Sequence, residues 1–432
     1  MIILRWAKGR LRGLIATGRA LHRRLQARNI SRIRRLERVY PPDGERVVAM
    51  TFDDGPTAAE ARPGSGRGIT ASIVEVMERY GATGTFNIIG STGENYPDDP
   101  GKPHTPLWSG IRYDHYPEYG QDRLAGAKNQ PHLVDLLLNK GHELANHSYR
   151  HLIFGPSRVI YGHRACFDGF QEALEDAERL HQLICSRHGL NMTLARPPHY
   201  VDRTRDGRNS FDIYGMLGYH YLAASFDGGG WMPSSGDYRR DVRAMIRPLA
   251  QALERDPSSL NGQIIFQKDG YNMSGESPVV DALPGQLELL SRFGYRVVAV
   301  SELLSQSPFS DVPPSAPYFP DLLELEHRGH ALGFQDNTFR PDRPLTWNHL
   351  VEMAAPTPDR RQISPGEAWN RARRWMPEDV RPSRTVTRSR LLDSLERLGT
   401  GGHPDPGTIP SARPLTRGEA LPLVRRLADR LR

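Results

Sequence analysis

The chain of 432 residues carries a formal net charge of +7, contains two cysteines and is 38% hydrophobic. Its length predicts two or three domains, and its cysteine count excludes a disulfide-rich scaffold and a four-cysteine zinc site. No stretch approaches the roughly eighteen consecutive apolar residues that are typical of a transmembrane helix.

Residues 1–40 are predicted to form a basic amphipathic arm. Within residues 1–38, eleven arginines and Lys8 stand against the single acid Glu37, a local balance of +11 that leaves −4 for the rest of the chain. The arm fits a helix on a membrane surface, a nucleic-acid arm or a solvated extension. We expect this arm to bind a membrane surface and not a nucleic acid. A secretory signal fits poorly, because arginines interrupt the apolar region.

From residue 41 to residue 308 short β-rich runs alternate with helical ones. This alternation predicts an α/β fold with a parallel sheet or a barrel, in which chemistry gathers at the carboxyl ends of the strands. The predicted strands are Val47–Phe52, Thr83–Ile89, His142–Asn146, Met192–Arg196, His220–Ser225, Gln263–Phe266 and Arg296–Val300. The predicted helices are Ile69–Tyr80, Pro131–Lys140, Cys166–His188, Tyr238–Arg255 and Pro284–Phe293.

The remainder of the chain is predicted to be a proline-rich linker, 309–319, followed by a small all-α domain, 320–432. In this tail the phrase RPLT occurs at 343–346 and again at 413–416, and the sequence TVTR at 385–388 resembles it. A helical run follows each copy. Such self-similarity predicts stacked helical repeats.

Three groups of polar residues follow predicted strands. Asp53 and Asp54 come directly after the first strand in TFDDGP, where one carboxylate can bind a metal and the other can act as a base. His147 and His151 have the i, i+4 spacing that places two zinc ligands on one face of a helical turn. Arg196 opens RPPHY and is placed to hold a carboxylate such as Asp53. An ordinary turn, a chance histidine pair and a surface arginine are the alternatives for these groups taken singly.

Together these groups resemble the motifs of the polysaccharide deacetylase family, the NodB-homology enzymes of carbohydrate esterase family 4. The resemblance covers roughly residues 45–304 and includes later segments that are similar to the fourth and fifth family motifs. The matching segments are Thr51–Pro56, His147–His151, Arg196–Tyr200, Asp227–Trp231 and Ile264–Gly270.

The resemblance implies a distorted (β/α) barrel and a metal-dependent N-deacetylase. Asp54, His147 and His151 would hold a divalent metal, Zn²⁺ or a neighbour such as Co²⁺. Asp53 would be the general base and Arg196 would orient it. The substrate would meet the backbone N–H of His199, which would help to hold the oxyanion, and the side chain of Trp231.

The sequence departs from the family pattern at two positions. The fifth motif normally supplies a histidine that protonates the leaving amine, and Lys268 stands there. The fourth motif normally has an acid before its tryptophan, and Gly230 stands there. We expect Lys268 to replace the usual acid or the activity to be weak. An insertion, 91–130, carries the aromatic residues Tyr96, Trp108, Tyr113, Tyr116 and Tyr119, which would stack on sugars or pack as a surface loop.

The tail resembles S-layer homology repeats, with one close copy at 333–346 and weaker copies later. Such modules dock on secondary cell-wall polysaccharide, often through an arginine that Arg388 and Arg417 match here, whereas Trp347 stands at that place in the first copy. The alternative is a helical packing domain without a ligand.

We therefore expect an enzyme of the bacterial cell envelope that removes N-acetyl groups from a cell-wall or related glycan containing N-acetylglucosamine, with the tail anchoring it to the wall. Two alternatives remain. One is a deacetylase-like glycan-binding protein with little turnover, and the other is a hydrolase of a different non-peptide amide.

Overall fold

The computed structural model describes residues 30–41, 44–62, 64–95, 123–156, 165–355, 365–398 and 412–431. The chain divides into two compact units. The barrel unit comprises residues 36–308, and the tail unit comprises the described residues up to 35 together with 309–432. Among the described residues, no helix combines the length and the apolar character needed to cross a membrane.

The barrel unit is built on a sheet that has nine strands in the described part of the chain, in the order β1-β6-β5-β4-β3-β2-β8-β7, with β9 also pairing with β2. Seven of the strand pairs are parallel: β2 pairs with β3, β8 and β9, β3 with β4, β4 with β5, β5 with β6, and β7 with β8. This is the distorted β/α architecture that the sequence predicts. The strands are β1 Arg35–Leu36, β2 Val47–Asp53, β3 Thr85–Ile88, β4 Glu143–Asn146, β5 Leu194–Ala195, β6 His220–Leu222, β7 Phe226–Asp227, β8 Ile264–Lys268 and β9 Arg296–Val298.

Strand β2 lies at the centre of the sheet, and all seven of its residues are buried. Burial on both faces explains why its first four residues, Val47–Met50, are all apolar and do not alternate with polar ones, as is typical of parallel sheets covered by helices. The register places Asp53 beside Asn87 of β3 and beside Lys268 of β8. The carboxyl ends of these three strands therefore bring polar side chains together at one edge.

Helices cover the sheet. The predicted helix Pro284–Phe293 is wrong at its start, because the helix in the structure begins at Val279 and contains Pro284. Val279, Val280 and Leu283 are buried, and their burial offsets the backbone hydrogen bond that a proline removes from a helix. The helices of this unit are α1 Ile69–Arg79, α2 Pro131–Asn139, α3 Phe170–His188, α4 Ser210–Leu217, α5 Tyr238–Arg255, α6 Val279–Arg292 and α7 Val300–Gln306.

The tail unit contains three repeats around a closed hub. The amide of Leu345 donates to the carbonyl of Leu415 at 2.9 Å, Leu415 donates to Val386 at 2.9 Å, and Val386 donates to Leu345 at 2.8 Å. The repeats thus close on one another through these three backbone hydrogen bonds. Its helices are α8 Phe319–His327, α9 Trp347–Ala354, α10 Pro365–Ala372, α11 Arg388–Arg397 and α12 Arg417–Arg430.

Each recurring phrase contains the N-cap threonine of a helix. The hydroxyls of Thr346, Thr387 and Thr416 accept a backbone N–H from the first turn of α9, α11 and α12. An N-cap threonine of this kind typically contributes about 1 kcal/mol to helix stability. The sequence similarity therefore records a shared strand-and-cap geometry.

Two segments that the sequence placed outside the domains pack inside them. Phe309 and Val312 of the predicted linker are buried in the core of the tail unit, and so is Ile30 of the predicted arm. Leu36 and Val39 are buried in the barrel unit. A solvated extension is therefore wrong for residues 30–40, and 309–319 belongs to the tail fold. Residues 1–29 lie outside the described part.

Candidate active site

Asp54, His147 and His151 meet at the carboxyl edge of the sheet. Oδ1 of Asp54 lies 3.2 Å from Nε2 of His147 and 3.0 Å from Nε2 of His151. All three residues are buried, and one potential ligand atom from each lies within 4.8 Å of the others. One carboxylate and two imidazoles are the donor set of many catalytic zinc sites, in which a fourth position is left to water.

A backbone contact sets the tautomer of His147. Its Nδ1 lies 2.8 Å from the carbonyl oxygen of Arg196, so Nδ1 carries the proton and donates it. Nε2 then presents its lone pair to the cluster. Burial lowers the pKa of His147, which favours the neutral imidazole that metals bind.

The histidine pair lies on a loop after β4, and the prediction of a helical turn is wrong. Ser148 and His151 adopt left-handed backbone conformations, with φ of 68° and 55°. Asp54, His199 and Tyr200 do so too, at 83°, 53° and 56°. These are five of the seven such non-glycine residues in the described chain. Backbone strain of this kind gathers where a fold holds side chains for function.

Asp53 is held in place by two donors. Its Oδ1 accepts from Nη1 of Arg196 at 2.6 Å and from Nδ2 of Asn87 at 2.6 Å. Its Oδ2 lies 3.8 Å from Nε2 of His147. One carboxylate oxygen is thus anchored by Arg196 and Asn87, and the other faces the cluster.

Arg196 is fully buried, and its guanidinium donates to four fixed acceptors. Besides Asp53 it donates to Oγ1 of Thr51 and to the carbonyls of Leu222 and Ala223, each at 3.0 Å. The structure therefore places the predicted arginine against the predicted carboxylate. Asn87 was missed by sequence reasoning, and the only signal for it is its position opposite Asp53 on the neighbouring strand.

Lys268 lies at the end of β8, where its Nζ contacts Oδ2 of Asp54. It is buried, and burial lowers the pKa of its ammonium group to about 8. Gly230 lies beside it with φ of 80°, and a Cβ there would come 2.9 Å from Cγ2 of Val279. The two departures from the family pattern thus adjoin, and the backbone at residue 230 has little room for an acidic side chain.

The two predicted substrate contacts lie on loops after strands. His199 belongs to the short helical turn Pro198–Tyr200, and its ring centroid is 5.3 Å from that of His151. Trp231 is 37% exposed, and its indole N–H donates to Asp227 at 2.9 Å. The aromatic residues predicted in the insertion, Tyr96, Trp108, Tyr113, Tyr116 and Tyr119, lie outside the described residues.

The two predicted wall-binding arginines differ in exposure. Arg388 begins α11 and is half-buried. Arg417 begins α12, is fully buried, donates to the carbonyl of Phe339 at 2.8 Å and contacts that of Leu332. Its guanidinium lies 4.8 Å from the ring centroid of Phe334, and burial lowers its pKa to about 9. Arg417 therefore holds the loop of the first repeat in place.

Two segments of the chain match models of known families. Residues 41–215 match the family model for polysaccharide deacetylase, and residues 308–346 match that for the S-layer homology domain. The second match includes the stretch predicted as a linker.

Relatives of known function resemble the barrel unit. A peptidoglycan-N-acetylglucosamine deacetylase from Bacillus cereus is 23% identical over 266 residues, which is 61% of this chain and 90% of the relative. The peptidoglycan-N-acetylmuramic acid deacetylase PdaC from Bacillus subtilis is 23% identical over 60% of this chain and 39% of its own length. Among solved structures, a chitin deacetylase from Colletotrichum lindemuthianum matches with a TM-score of 0.41 and 18% identity, covering 63% of this chain and 92% of that one.

Proposed function

Because this chain carries a polysaccharide deacetylase domain and an S-layer homology domain, we propose that it removes N-acetyl groups from an N-acetylglucosamine-containing glycan of the bacterial cell envelope. The observation that carries the proposal is the buried cluster of Asp54, His147 and His151 with Asp53 beside it. The named activities of the two Bacillus deacetylases support the same substrate class.

Asp54, His147 and His151 would hold a divalent metal. Their one oxygen and two nitrogen donors suit Zn²⁺, and also Co²⁺ and similar ions. The fixed Nδ1–H of His147 supports this, because a second hydrogen bond to the other ring nitrogen is typical of metal-bound histidines. A metal bound here would polarise the acetamide carbonyl and lower the pKa of a bound water.

Asp53 would take the proton from the attacking water. Arg196 and Asn87 hold its Oδ1, which leaves Oδ2 on the side of the cluster. Water adds its oxygen to the acetyl carbon, the carbon–nitrogen bond breaks, and acetate and a free amine leave. The backbone N–H of His199 would stabilise the oxyanion of the intermediate.

Lys268 would return a proton to the leaving amine. Its pKa of about 8 keeps it protonated at neutral pH and lies closer to the operating pH than that of an exposed lysine. Trp231 would stack on a sugar ring, since its exposed indole is fixed by Asp227.

The tail would dock the enzyme on secondary cell-wall polysaccharide, with Arg388 in contact with the ligand and Arg417 holding the adjoining loop. A membrane-surface role for the basic arm stays a prediction, because residues 1–29 lie outside the described part. Location in the cell envelope follows from the S-layer homology domain.

A second candidate is a glycan-binding protein with little turnover. Two features favour this candidate. The backbone at Gly230 leaves little room for the acid of the family, and Lys268 stands in place of the histidine. The cluster of Asp54, His147 and His151 and the two donors that hold Oδ1 of Asp53 favour the enzyme.

Acetate release from N-acetylglucosamine oligomers by the full chain, with and without added zinc, separates the two candidates. We expect zinc-dependent release that Asp53→Asn and His147→Ala abolish and that His132→Ala, at an exposed histidine of α2, leaves unchanged. Stoichiometric zinc binding without any release would favour the binding protein.

A further inference from the structure

The two carboxylate oxygens of Asp54 face different partners. Oδ1 faces the Nε2 atoms of His147 and His151, at 3.2 and 3.0 Å. Oδ2 contacts the ammonium group of Lys268. The same carboxylate that would be a metal ligand is therefore also the counter-ion of a lysine.

The lysine has little freedom to withdraw. It is 6% exposed and ends a strand whose register with β2 places it directly beside Asp53. A Cβ at Gly230 would lie 3.6 Å from its Cβ, so its stem lies close beneath the backbone of the loop after β7. Strand register and the loop after β7 thus fix the base of the lysine side chain, and its ammonium group contacts Asp54.

Two electrostatic consequences follow. An ammonium ion on Oδ2 withdraws negative charge from the carboxylate, which weakens it as a metal ligand. It also places a positive charge within a few ångströms of the position that a dication would take, and in a buried site such repulsion is poorly screened. Both effects act in the same direction.

We propose that Lys268 is a positioning residue that sets the metal affinity of the site, holding Asp54 in place while making its metal weakly bound and exchangeable. The inference rests on the proposed metal site of Asp54, His147 and His151. It assigns Lys268 a role through Asp54 that does not depend on proton transfer to the leaving amine.

Zinc affinity measured by competition with a chromophoric chelator tests this on the full chain. Lys268→Met and Lys268→Gln remove the charge, and we expect each to bind zinc at least tenfold more tightly than the wild type. Lys268→Arg keeps the charge and should remain within about threefold of the wild type. Lys140→Met, at a half-exposed lysine paired with Glu78, is the control and should also be unchanged.

Circular dichroism identifies any variant that fails to fold. If one of the two neutral variants does not fold, the zinc affinity of the other tests the proposal. Zinc binding by a folded neutral variant that is equal to or weaker than that of the wild type would overturn the proposal. Tighter zinc binding by Lys268→Arg would also overturn it, because the effect would then come from side-chain packing and not from charge. Absence of zinc binding in the wild type and in the neutral variants would overturn the metal site itself. The titrations of the wild type and the neutral variants together therefore distinguish failure of the proposed metal site from failure of the role of Lys268.

Discussion

Arg34 donates to Oδ1 of Asn337 at 2.9 Å, although 303 positions separate the two residues in the chain. Arg34 is buried, its guanidinium lies 4.6 Å from the ring centroid of Phe309, and it also pairs with Glu326. The amide of Ser31 donates to the carbonyl of Gly333 at 2.9 Å. The tail unit is therefore completed by a segment from the opposite end of the sequence.

A truncated chain that begins at residue 36 should have a destabilised tail unit. It loses the buried Ile30 and leaves Glu326 and Asn337 without their arginine, and each loss typically costs about 2–5 kcal/mol. Scanning calorimetry should show the tail transition at a lower temperature. A chain that begins at residue 30 is the matched control and should melt like the full chain; equal melting of both truncations would contradict the role of this segment.

Asn87→Ala should slow acetate release while leaving zinc affinity unchanged. The variant removes one of the two donors to Oδ1 of Asp53, so the base is held less firmly, and we expect a loss of roughly 10- to 100-fold in kcat/KM. Steady-state kinetics and chelator competition measure the two quantities separately. Asn139→Ala, at an exposed asparagine of α2, should alter neither, and full activity of Asn87→Ala would show that Arg196 alone orients Asp53.

His142 should make the folded chain less stable in mild acid. It is buried, its Nδ1 accepts the backbone N–H of Gly84 at 3.1 Å, and burial lowers its pKa to about 4. The unfolded chain takes up a proton near pH 6.5 and the folded chain only near pH 4. The contribution of neutral His142 to the free energy of unfolding is therefore complete above pH 6.5 and is lost as the pH falls toward 4.

Between pH 7 and pH 5 the loss should be about 2 kcal/mol of unfolding free energy. Urea titrations at both pH values, with a chelator present, measure it. His142→Gln retains an acceptor for Gly84 and should remove this part of the pH dependence, whereas the exposed His132→Gln should retain it. The same pH dependence in both variants would assign the effect to other groups.

The side chains of the candidate site could be predicted because they stand at the ends of strands in the sequence. Asp53, Asp54 and His147 were indicated by the rule that parallel strands end at one edge, together with the resemblance of their motifs to those of the polysaccharide deacetylase family. Asn87 could not be predicted, because its role depends on the register of β3 against β2. A register is set by packing across the whole sheet, and no local pattern around Asn87 records it.

The tail shows the same limit over a longer distance. The repeated phrases predicted three similar segments, and each one contains an N-cap threonine. Their closure around a hub depends on hydrogen bonds between residues as far apart as Leu345 and Leu415. Ile30 and Phe309 join the core of the tail unit because they cover apolar residues that the closed repeats leave exposed. Which residues these are depends on the complete fold and not on a local sequence pattern.

Arg417→Met and Arg388→Met should separate stability from wall binding. Removing Arg417 leaves the buried carbonyls of Phe339 and Leu332 without their donor, and we expect the tail unit to lose about 2 kcal/mol or more. The loop that it holds contains Asn337 and Arg340 in left-handed conformations, which need such support.

Arg388→Met should leave the melting temperature of the tail unit unchanged, because the half-buried Arg388 stands at the first turn of α11 and not in the core. Arg388→Met should reduce sedimentation of the chain with purified cell walls, because the variant lacks the positive charge that would bind the polysaccharide. Arg417→Met should reduce both quantities together. If Arg417→Met melts like the wild type yet no longer sediments, the buried arginine binds the polysaccharide itself, and its contacts to the two carbonyls are secondary.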